Sequence, residues 1–115
     1  MWVKGRSPAE IVLSLLNRSS CHVQVASILM DRKNRLVAHG WNHAGRDGFG
    51  EHSEVMCLKR ANPARVSDSI LWVAARRRKS GSIVTARPCA ACAPAVRECA
   101  AVRYRDGSGQ WRWFK

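Results

Sequence analysis

Two short motifs at the starts of two predicted helices constrain this fold more than any other feature of the sequence. The first, H-S-E, contains His52 and Glu54, and the second, P-C-A-A-C, contains Cys89 and Cys92. Imidazole nitrogen and thiolate sulfur are donor atoms that bind zinc in proteins. Because a predicted strand separates the two helices, both motifs can serve one ion only if the chain brings the two helix beginnings together.

The composition predicts one folded domain over residues 1–115. Hydrophobic residues make up 46% of the 115 residues, which is enough for one buried core. The apolar runs are far shorter than the roughly 20 residues that cross a bilayer, and the first residues lack a signal-peptide pattern. We therefore expect a cytoplasmic protein with no membrane partner. Five cysteines without an export signal predict reduced thiols rather than a disulfide framework.

The charge is strongly positive. Twenty Lys and Arg residues against eight Asp and Glu residues give a formal net charge of +12. Such a field attracts phosphate-bearing partners and makes their binding sensitive to salt. A solvated basic surface without a partner is the other interpretation, since the only dense basic run is A-R-R-R-K over residues 75–79.

Hydrophobic patterning predicts a helix and then a hairpin in the first part of the chain. Ser7, Pro8 and Glu10 begin the helix as N-cap, first helical residue and capping-box partner. Two strands over residues 22–30 and 35–41, joined by the turn D-R-K-N, then pair antiparallel.

Helices and strands alternate in the second part of the chain. The predicted elements are a glycine-rich loop over 42–50, a helix from His52 to about Ala61 that Pro63 ends, a strand over 68–77, a short segment over 83–86 and a helix over 88–101. Pro88 as the first helical residue would place Cys89 and Cys92 in the first turn, where the positive end of the helix favours thiolates. Helices between strands predict parallel pairing in the middle of an α/β layered sheet.

The end of the chain predicts a second hairpin. Only R-D-G-S-G separates the strands over 102–104 and 110–114, and a parallel return would need a dozen or more residues. Trp111 and Trp113 then share one face of the last strand. We expect them to pack against the sheet rather than to stack on nucleobases.

Three ligands of the His/Cys/Cys type predict a catalytic zinc site. They leave one position of a tetrahedral ion open for water, whose pKa the metal lowers to about 7. Glu54, a carboxylate that is not a ligand, could then carry the proton.

Two other interpretations of the motifs stay open. The C-x-x-C pair could be a redox pair, but this interpretation leaves His52 and Glu54 without a role. It could also be half of a structural zinc cluster, but such a cluster needs a fourth ligand. Cys21, Cys57 and Cys99 lack chelating spacing with the set, and we predict that they are buried, unreactive thiols.

Together, His52-Ser53-Glu54 and Pro88-Cys89-Ala90-Ala91-Cys92 resemble the signature of the zinc-dependent cytidine deaminase-like superfamily. The order of elements is similar too, over essentially the whole chain. The resemblance implies a three-layer α/β/α fold whose five-stranded mixed sheet ends in an antiparallel hairpin. It also implies a Zn²⁺ cofactor bound by the histidine and the two cysteines, and hydrolytic deamination with Glu54 as the proton carrier.

The resemblance also implies residues that contact the substrate. Asn42, in G-W-N, matches an asparagine that contacts the sugar in the family, and Thr85 matches a Thr or Ser often found before the Pro-Cys pair. His43 and Arg87 flank the predicted pocket, where either could meet a phosphate. For both, a surface role is the alternative, and for Asn42 the alternative is a loop asparagine in a turn.

Two features point to different branches of the superfamily. His52 is similar to the histidine of nucleotide, tRNA and polynucleotide deaminases, since free-nucleoside deaminases usually have cysteine there. The closing hairpin is instead similar to that of the free-nucleoside deaminases, and also to that of bacterial toxin and plant organelle editing deaminases. The resemblance therefore implies a cytosine-containing nucleoside, nucleotide or single-stranded nucleic acid as substrate, and relatives are often homo-oligomers. Adenine deamination and a non-catalytic, zinc-stabilised basic nucleic-acid-binding module are the alternatives.

Overall fold

We analysed a computed structural model, which describes residues 6–43 and 52–115. Most of the loop predicted over 42–50 lies outside these residues. The helices are α1 (Pro8–Ser14), α2 (Ser53–Arg60), α3 (Pro63–Val66) and α4 (Ala93–Val96), with a 3-10 helix at Leu16–Arg18. The strands are β1 (Val23–Met30), β2 (Leu36–Trp41), β3 (Ile70–Arg77), β4 (Ile83–Val84), β5 (Ala101–Arg105) and β6 (Trp111–Trp113).

The strands form one mixed sheet in the order β2-β1-β3-β5-β6. β1 is antiparallel to both of its neighbours, β3 and β5 are parallel, and β5 and β6 form the antiparallel hairpin that the sequence predicts. The predicted parallel pairing is therefore confirmed for β3 and β5. β2 and β3 run in the same direction without pairing, because β1 lies between them.

The sheet has six strands instead of the five expected. The sixth is β4, which pairs antiparallel with β3 at Ala75 and Arg76. β5 pairs with the other end of β3, from Ile70 to Val73. The extra strand is thus a two-residue ladder along the part of β3 that extends past β5.

α1 begins with the predicted capping box. The Glu10 backbone nitrogen donates to Ser7 Oγ at 3.2 Å, and the Ser7 backbone nitrogen donates to Glu10 Oε1 at 3.4 Å. Two buried residues of this helix, Ile11 and Val12, belong to a core cluster with Ile28 of β1. α1 therefore covers the central part of one face of the sheet.

The other helices cover the opposite face. Cys57 of α2 and Val96 of α4 are fully buried in a second core cluster with Leu29, Val73 and Val102 of the sheet. The layers are therefore helix, sheet and helix, as expected for a three-layer α/β/α fold. The part of the chain that the structure describes contains no helix with the length and apolarity of a membrane span.

The predicted helix starting at Pro88 is wrong in its position. α4 begins only at Ala93, with Cys92 as its N-cap residue, and is four residues long. Pro94 explains the difference, because proline has no backbone N–H and is tolerated only in the first turn of a helix. Cys89 and Cys92 therefore lie in a turn that precedes the helix.

The two tryptophans of β6 differ from each other. Trp111 is half-buried, with its ring 5.2 Å from that of Trp72 at 68°, which confirms the predicted packing against the sheet. Trp113 is 58% exposed, so the prediction of a packing role is wrong for this residue. Trp113 is exposed because β6 is an edge strand, whereas α1 covers only the central strands of the sheet.

α2 lies unusually close to β2 at Gly40. A Cβ atom at this position would be 2.6 Å from the backbone nitrogen of Cys57 and 2.6 Å from the carbonyl oxygen of Ser53. Both distances are below any normal contact, and both partners are backbone atoms that cannot rotate away. Glycine at position 40 is therefore what lets the first turns of α2 rest on the sheet.

We predict that Gly40→Ala destabilises the protein. The added methyl group would force α2 away from β2, and such overpacking costs about 1–3 kcal/mol. Urea denaturation of both proteins measures the change. Gly107→Ala is the control, because a Cβ there would meet no atom within 4 Å; equal losses in the two variants would contradict the steric explanation.

Candidate zinc centre

His52 is the N-cap residue of α2 and lies just outside the helix. Its backbone is extended, with φ −74° and ψ 147°, and its carbonyl oxygen accepts from the Met56 backbone nitrogen at 3.0 Å. Residues two apart within a helix point to nearly opposite sides. Since His52 precedes the helix and Glu54 is the second helical residue, both side chains can serve a site at the helix beginning.

A tight backbone turn brings the two cysteines together. The carbonyl oxygen of Cys89 accepts from the backbone nitrogens of Cys92 at 3.0 Å and Ala93 at 2.9 Å. Pro88, which precedes this turn, is buried. The C-x-x-C segment thus presents two sulfur atoms to one point, although no regular helix contains them.

The structure brings the nitrogen and the two sulfurs to distances that suit a tetrahedral zinc ion. His52 Nδ1 lies 3.1 Å from Cys92 Sγ and 3.6 Å from Cys89 Sγ, and the ligand atoms all lie within 4.8 Å of one another. Zn–S and Zn–N bonds of about 2.3 and 2.0–2.1 Å at a tetrahedral angle separate nitrogen from sulfur by about 3.6 Å. The separation from Cys89 matches this value and that from Cys92 is about 0.5 Å shorter, so a small shift of the side chains would let these three residues hold a zinc ion.

Burial disfavours the thiolate form of Cys92 in the absence of a cation. Cys92 is 1% exposed, and burial, followed by the nearby Glu54 carboxylate and the Cys89 side chain, raises the pKa of its thiol to about 12. A thiolate at this position needs a positive charge beside it. A coordinated metal ion deprotonates a thiol outright.

Glu54 is held by a buried chain of two hydroxyl groups. Ser53 Oγ donates to Glu54 Oε1 at 2.7 Å and lies 2.7 Å from Ser27 Oγ of β1. Ser27 and Ser53 are fully buried, and Glu54 is 5% exposed. Because Ser53 donates to the carboxylate, Ser27 donates to Ser53.

The motifs alone do not reveal the roles of Ser27 and Ser53. Ser53 occupies the variable position of H-x-E, and Ser27 lies in another part of the chain. The available signal was a hydroxyl group at Ser27 inside the otherwise nearly apolar strand V-Q-V-A-S-I-L-M. A buried polar side chain requires a hydrogen-bond partner, and this one has it at the metal site.

The side chain of Asn42 connects the end of β2 to the start of β1. Its Oδ1 atom accepts from Ser19 Oγ at 2.6 Å and from the Val25 backbone nitrogen at 2.9 Å. Its Nδ2 atom donates to the Val23 carbonyl oxygen at 2.9 Å. These bonds fix the orientation of Asn42; its contact with a substrate sugar stays a prediction.

Thr85, Arg87 and His43 also stay predictions as substrate contacts. Thr85 and Arg87 are exposed in the segment that leads to Cys89, and Thr85 Oγ1 accepts from the Arg87 backbone nitrogen at 3.4 Å. The Arg87 guanidinium lies 5.4 Å from the centre of the Phe114 ring. His43 is half-buried directly after Asn42.

The three other cysteines lie outside the ligand group. Cys57 and Cys99 are fully buried, and burial raises the pKa of both thiols, that of Cys99 to about 11. These properties agree with the prediction of unreactive thiols. Cys21 is only half-buried, so the prediction of burial is wrong there, because it precedes β1 outside both core clusters.

Comparison with known proteins gives one family and one fold. The family model described as "Cytidine and deoxycytidylate deaminase zinc-binding region" matches residues 8–105. No curated protein matches the sequence.

Two solved structures are similar to this fold. A cytidine deaminase from Burkholderia pseudomallei has a TM-score of 0.75 and 16% identity, covering 98% of this chain and 93% of that chain. A cytidine deaminase from Mycobacterium leprae has a TM-score of 0.58 and 13% identity, covering 90% of this chain and 87% of that chain. At these identities the likeness concerns the fold alone.

We predict that Cys92→Ala abolishes the binding of zinc. The variant loses one of three ligands, and the two that remain cannot retain the ion against a chelator. Elemental analysis after dialysis measures the zinc content. Cys99→Ala is the matched control, since it removes a buried thiol outside the ligand group; a variant of Cys92 that keeps one zinc per chain would contradict this ligand set.

We also predict that zinc binds more tightly as the pH rises. The raised pKa of Cys92 means that its thiol is protonated near neutral pH without metal, so zinc has to displace that proton. Each displaced proton weakens binding by roughly tenfold per pH unit on acidification. Competition with a chromophoric chelator between pH 6 and about 8, corrected for the chelator's own protonation, measures this; an affinity that does not change with pH would contradict it.

Proposed function

Because the chain belongs to the cytidine and deoxycytidylate deaminase zinc-binding family, we propose that it hydrolyses the exocyclic amino group of a cytosine base to give uracil and ammonia. It is a zinc-dependent deaminase by family. The observation that carries the proposal is the convergence of His52, Cys89 and Cys92 beside the buried Glu54 carboxylate.

In this proposal the imidazole of His52 and the thiolates of Cys89 and Cys92 hold the ion. When bound, zinc supplies a Lewis acid that lowers the pKa of water and makes it a nucleophile at neutral pH. Three protein ligands suit this chemistry, because a tetrahedral ion then keeps one position for water or substrate. A fourth protein ligand would close the site, and the ligand group in the described residues has three members.

Glu54 carries protons between water and the base. It takes the first proton of water as the oxygen attacks C4 and gives that proton to N3 of the ring. It then transfers the second proton of the same water to the exocyclic amino group, which leaves as ammonia. One C–O bond forms and one C–N bond breaks. Ser53 holds Oε1 of the carboxylate, and we assign proton transfer to Oε2.

The residues around the metal ligands receive substrate roles in this proposal. Asn42 contacts the sugar, with its side chain oriented by Ser19 and β1. Thr85 and the basic side chains of His43 and Arg87 contact the rest of the nucleotide. The net charge of +12 supports a phosphorylated substrate over a neutral nucleoside.

We predict that Glu54→Gln abolishes deamination while zinc content and folding persist. The amide has nearly the same shape but cannot carry the proton, and loss of a general acid–base group costs roughly 10²–10⁴ in rate. Purified protein is incubated with cytidine, deoxycytidine, their monophosphates, and cytosine-containing single-stranded DNA and RNA, and the corresponding uracil-containing product is quantified. Adenosine is included, with inosine as the product to detect.

Glu98→Gln is the matched control for this variant, because Glu98 is an exposed acid outside the metal site. It should retain full activity. Equal turnover by Glu54→Gln and the unaltered protein would refute the role of Glu54. Product from none of the substrates by the zinc-loaded protein would refute the proposed reaction and favour the non-catalytic binding module.

A further inference from the structure

A row of tryptophan and arginine side chains occupies the sheet face opposite the zinc centre. Trp72 of β3 pairs in register with Arg103 of β5, and Arg103 pairs with Trp113 of β6. Paired residues of neighbouring strands point to the same face, and successive residues of one strand point to opposite faces. Val102, next to Arg103, is buried on the zinc side in the cluster that contains Cys92.

The side chains of this row are stacked on one another. The Arg103 guanidinium carbon lies 4.4 Å from the centre of the Trp113 ring and 5.2 Å from that of Trp72. Trp111, two residues before Trp113, continues the row through its edge contact with Trp72 at 5.2 Å. We call these four residues, together with Arg105, the Trp/Arg face.

The Trp/Arg face presents an aromatic surface to solvent. Trp113 is 58% exposed, which makes it one of the two exposed large hydrophobic side chains among the residues that the structure describes. Arg103 holds the ring from one side. A planar, apolar surface supported by a guanidinium group suits a second planar group that stacks on it.

Among the residues that the structure describes, no carboxylate forms an ion pair with Arg103 or Arg105. The Nε atoms of Arg103 and Arg105 are buried without a hydrogen-bond partner in the described part of the chain. Burial and then the neighbouring Arg76 lower the pKa of Arg105. β3, β5 and β6 contain no Asp or Glu. One terminal nitrogen of each arginine donates to a backbone carbonyl oxygen, that of Trp111 at 3.4 Å and that of Ala75 at 3.2 Å. The face therefore contributes positive charge, held in place by the strands, to which an anion is attracted.

We propose that the Trp/Arg face binds single-stranded nucleic acid, with a base stacked on Trp113 and the phosphates paired with the arginines. Exposed bases stack on aromatic side chains while a basic surface follows the backbone, which is how proteins bind single strands without sequence preference. The bases of a duplex are already stacked and paired. If the Trp/Arg faces of two copies of this chain packed against each other, the arginines of one face would repel those of the other.

This inference goes beyond the proposed reaction, because it assigns a ligand to a face that the zinc centre does not use. The test therefore uses a probe without cytosine, a fluorescein-labelled oligothymidylate of about 16 nucleotides, with fluorescence anisotropy as the readout. The zinc-loaded protein should bind it with an affinity that falls as salt rises. Trp113→Ala should weaken binding about 5- to 100-fold, and Trp113→Phe should restore most of it.

Arg103→Gln and Arg112→Gln form a matched pair of variants. Each removes one positive charge, but Arg112 lies between the two tryptophans of β6 on the other face, paired with Tyr104 in register and bonded to Asp106. Arg103→Gln should weaken binding several-fold more than Arg112→Gln. Equal effects would mean that net charge alone attracts the probe and would overturn the proposal.

Inorganic polyphosphate provides the second control, since it has charges but no bases. Trp113→Ala should leave competition by polyphosphate unchanged while it weakens binding of the oligonucleotide. Unaltered binding of oligothymidylate by Trp113→Ala would overturn the proposal. Analytical ultracentrifugation tests for an interface between copies of the chain. An oligomer that Trp113→Ala dissociates would also overturn the proposal, because the face would then bind a second copy.

The two proposals fail separately. Uracil formation from a small substrate, combined with no binding of oligothymidylate, would overturn only the nucleic-acid face. Binding of oligothymidylate through Trp113 without uracil from any substrate would overturn only the deaminase reaction.

Discussion

The contact between α2 and β2 at Gly40 is the interaction on which the zinc centre depends. The helix backbone rests directly on the strand there, at Ser53 and Cys57. The beginning of α2 is therefore fixed against the sheet, and with it His52 and Glu54. The hydroxyl chain from Ser27 through Ser53 adds a polar contact at the same place. Packing thus sets the distance from the sheet, and hydrogen bonds set the orientation of the carboxylate.

The cysteine segment is positioned by different means. A single turn closed by the carbonyl oxygen of Cys89 presents both sulfurs, and α4 is too short to form such a site by itself. Burial of Cys92 beside Glu54 disfavours a thiolate unless a cation is present. A metal ion held by His52, Cys89 and Cys92 would therefore join this turn to α2. Such coupling between metal binding and folding is common where buried thiols are the ligands.

Several acidic side chains stabilise local structure through contacts with residues close to them. Glu10 caps α1, and Asp31 pairs with Arg35 and Arg65 around the turn after β1. Asp106 accepts several hydrogen bonds within the hairpin turn between β5 and β6. Asp31 and Asp106 therefore neutralise arginines close to them, and neither is paired with Arg103 or Arg105 of the Trp/Arg face.

The sequence by itself determined the features whose physical causes are local. The capping box of α1, the turn between β1 and β2, and the five-residue connection that makes β5 and β6 antiparallel are all encoded within a few residues. The metal motifs were also visible, because the chemistry of zinc restricts donor types and spacing. Only the tertiary structure decided the features that depend on residues distant in sequence: the insertion of β1 between β2 and β3, the buried bond between Ser27 and Ser53, and the exposure of Trp113. Each depends on which surfaces meet after folding, and no local propensity specifies that.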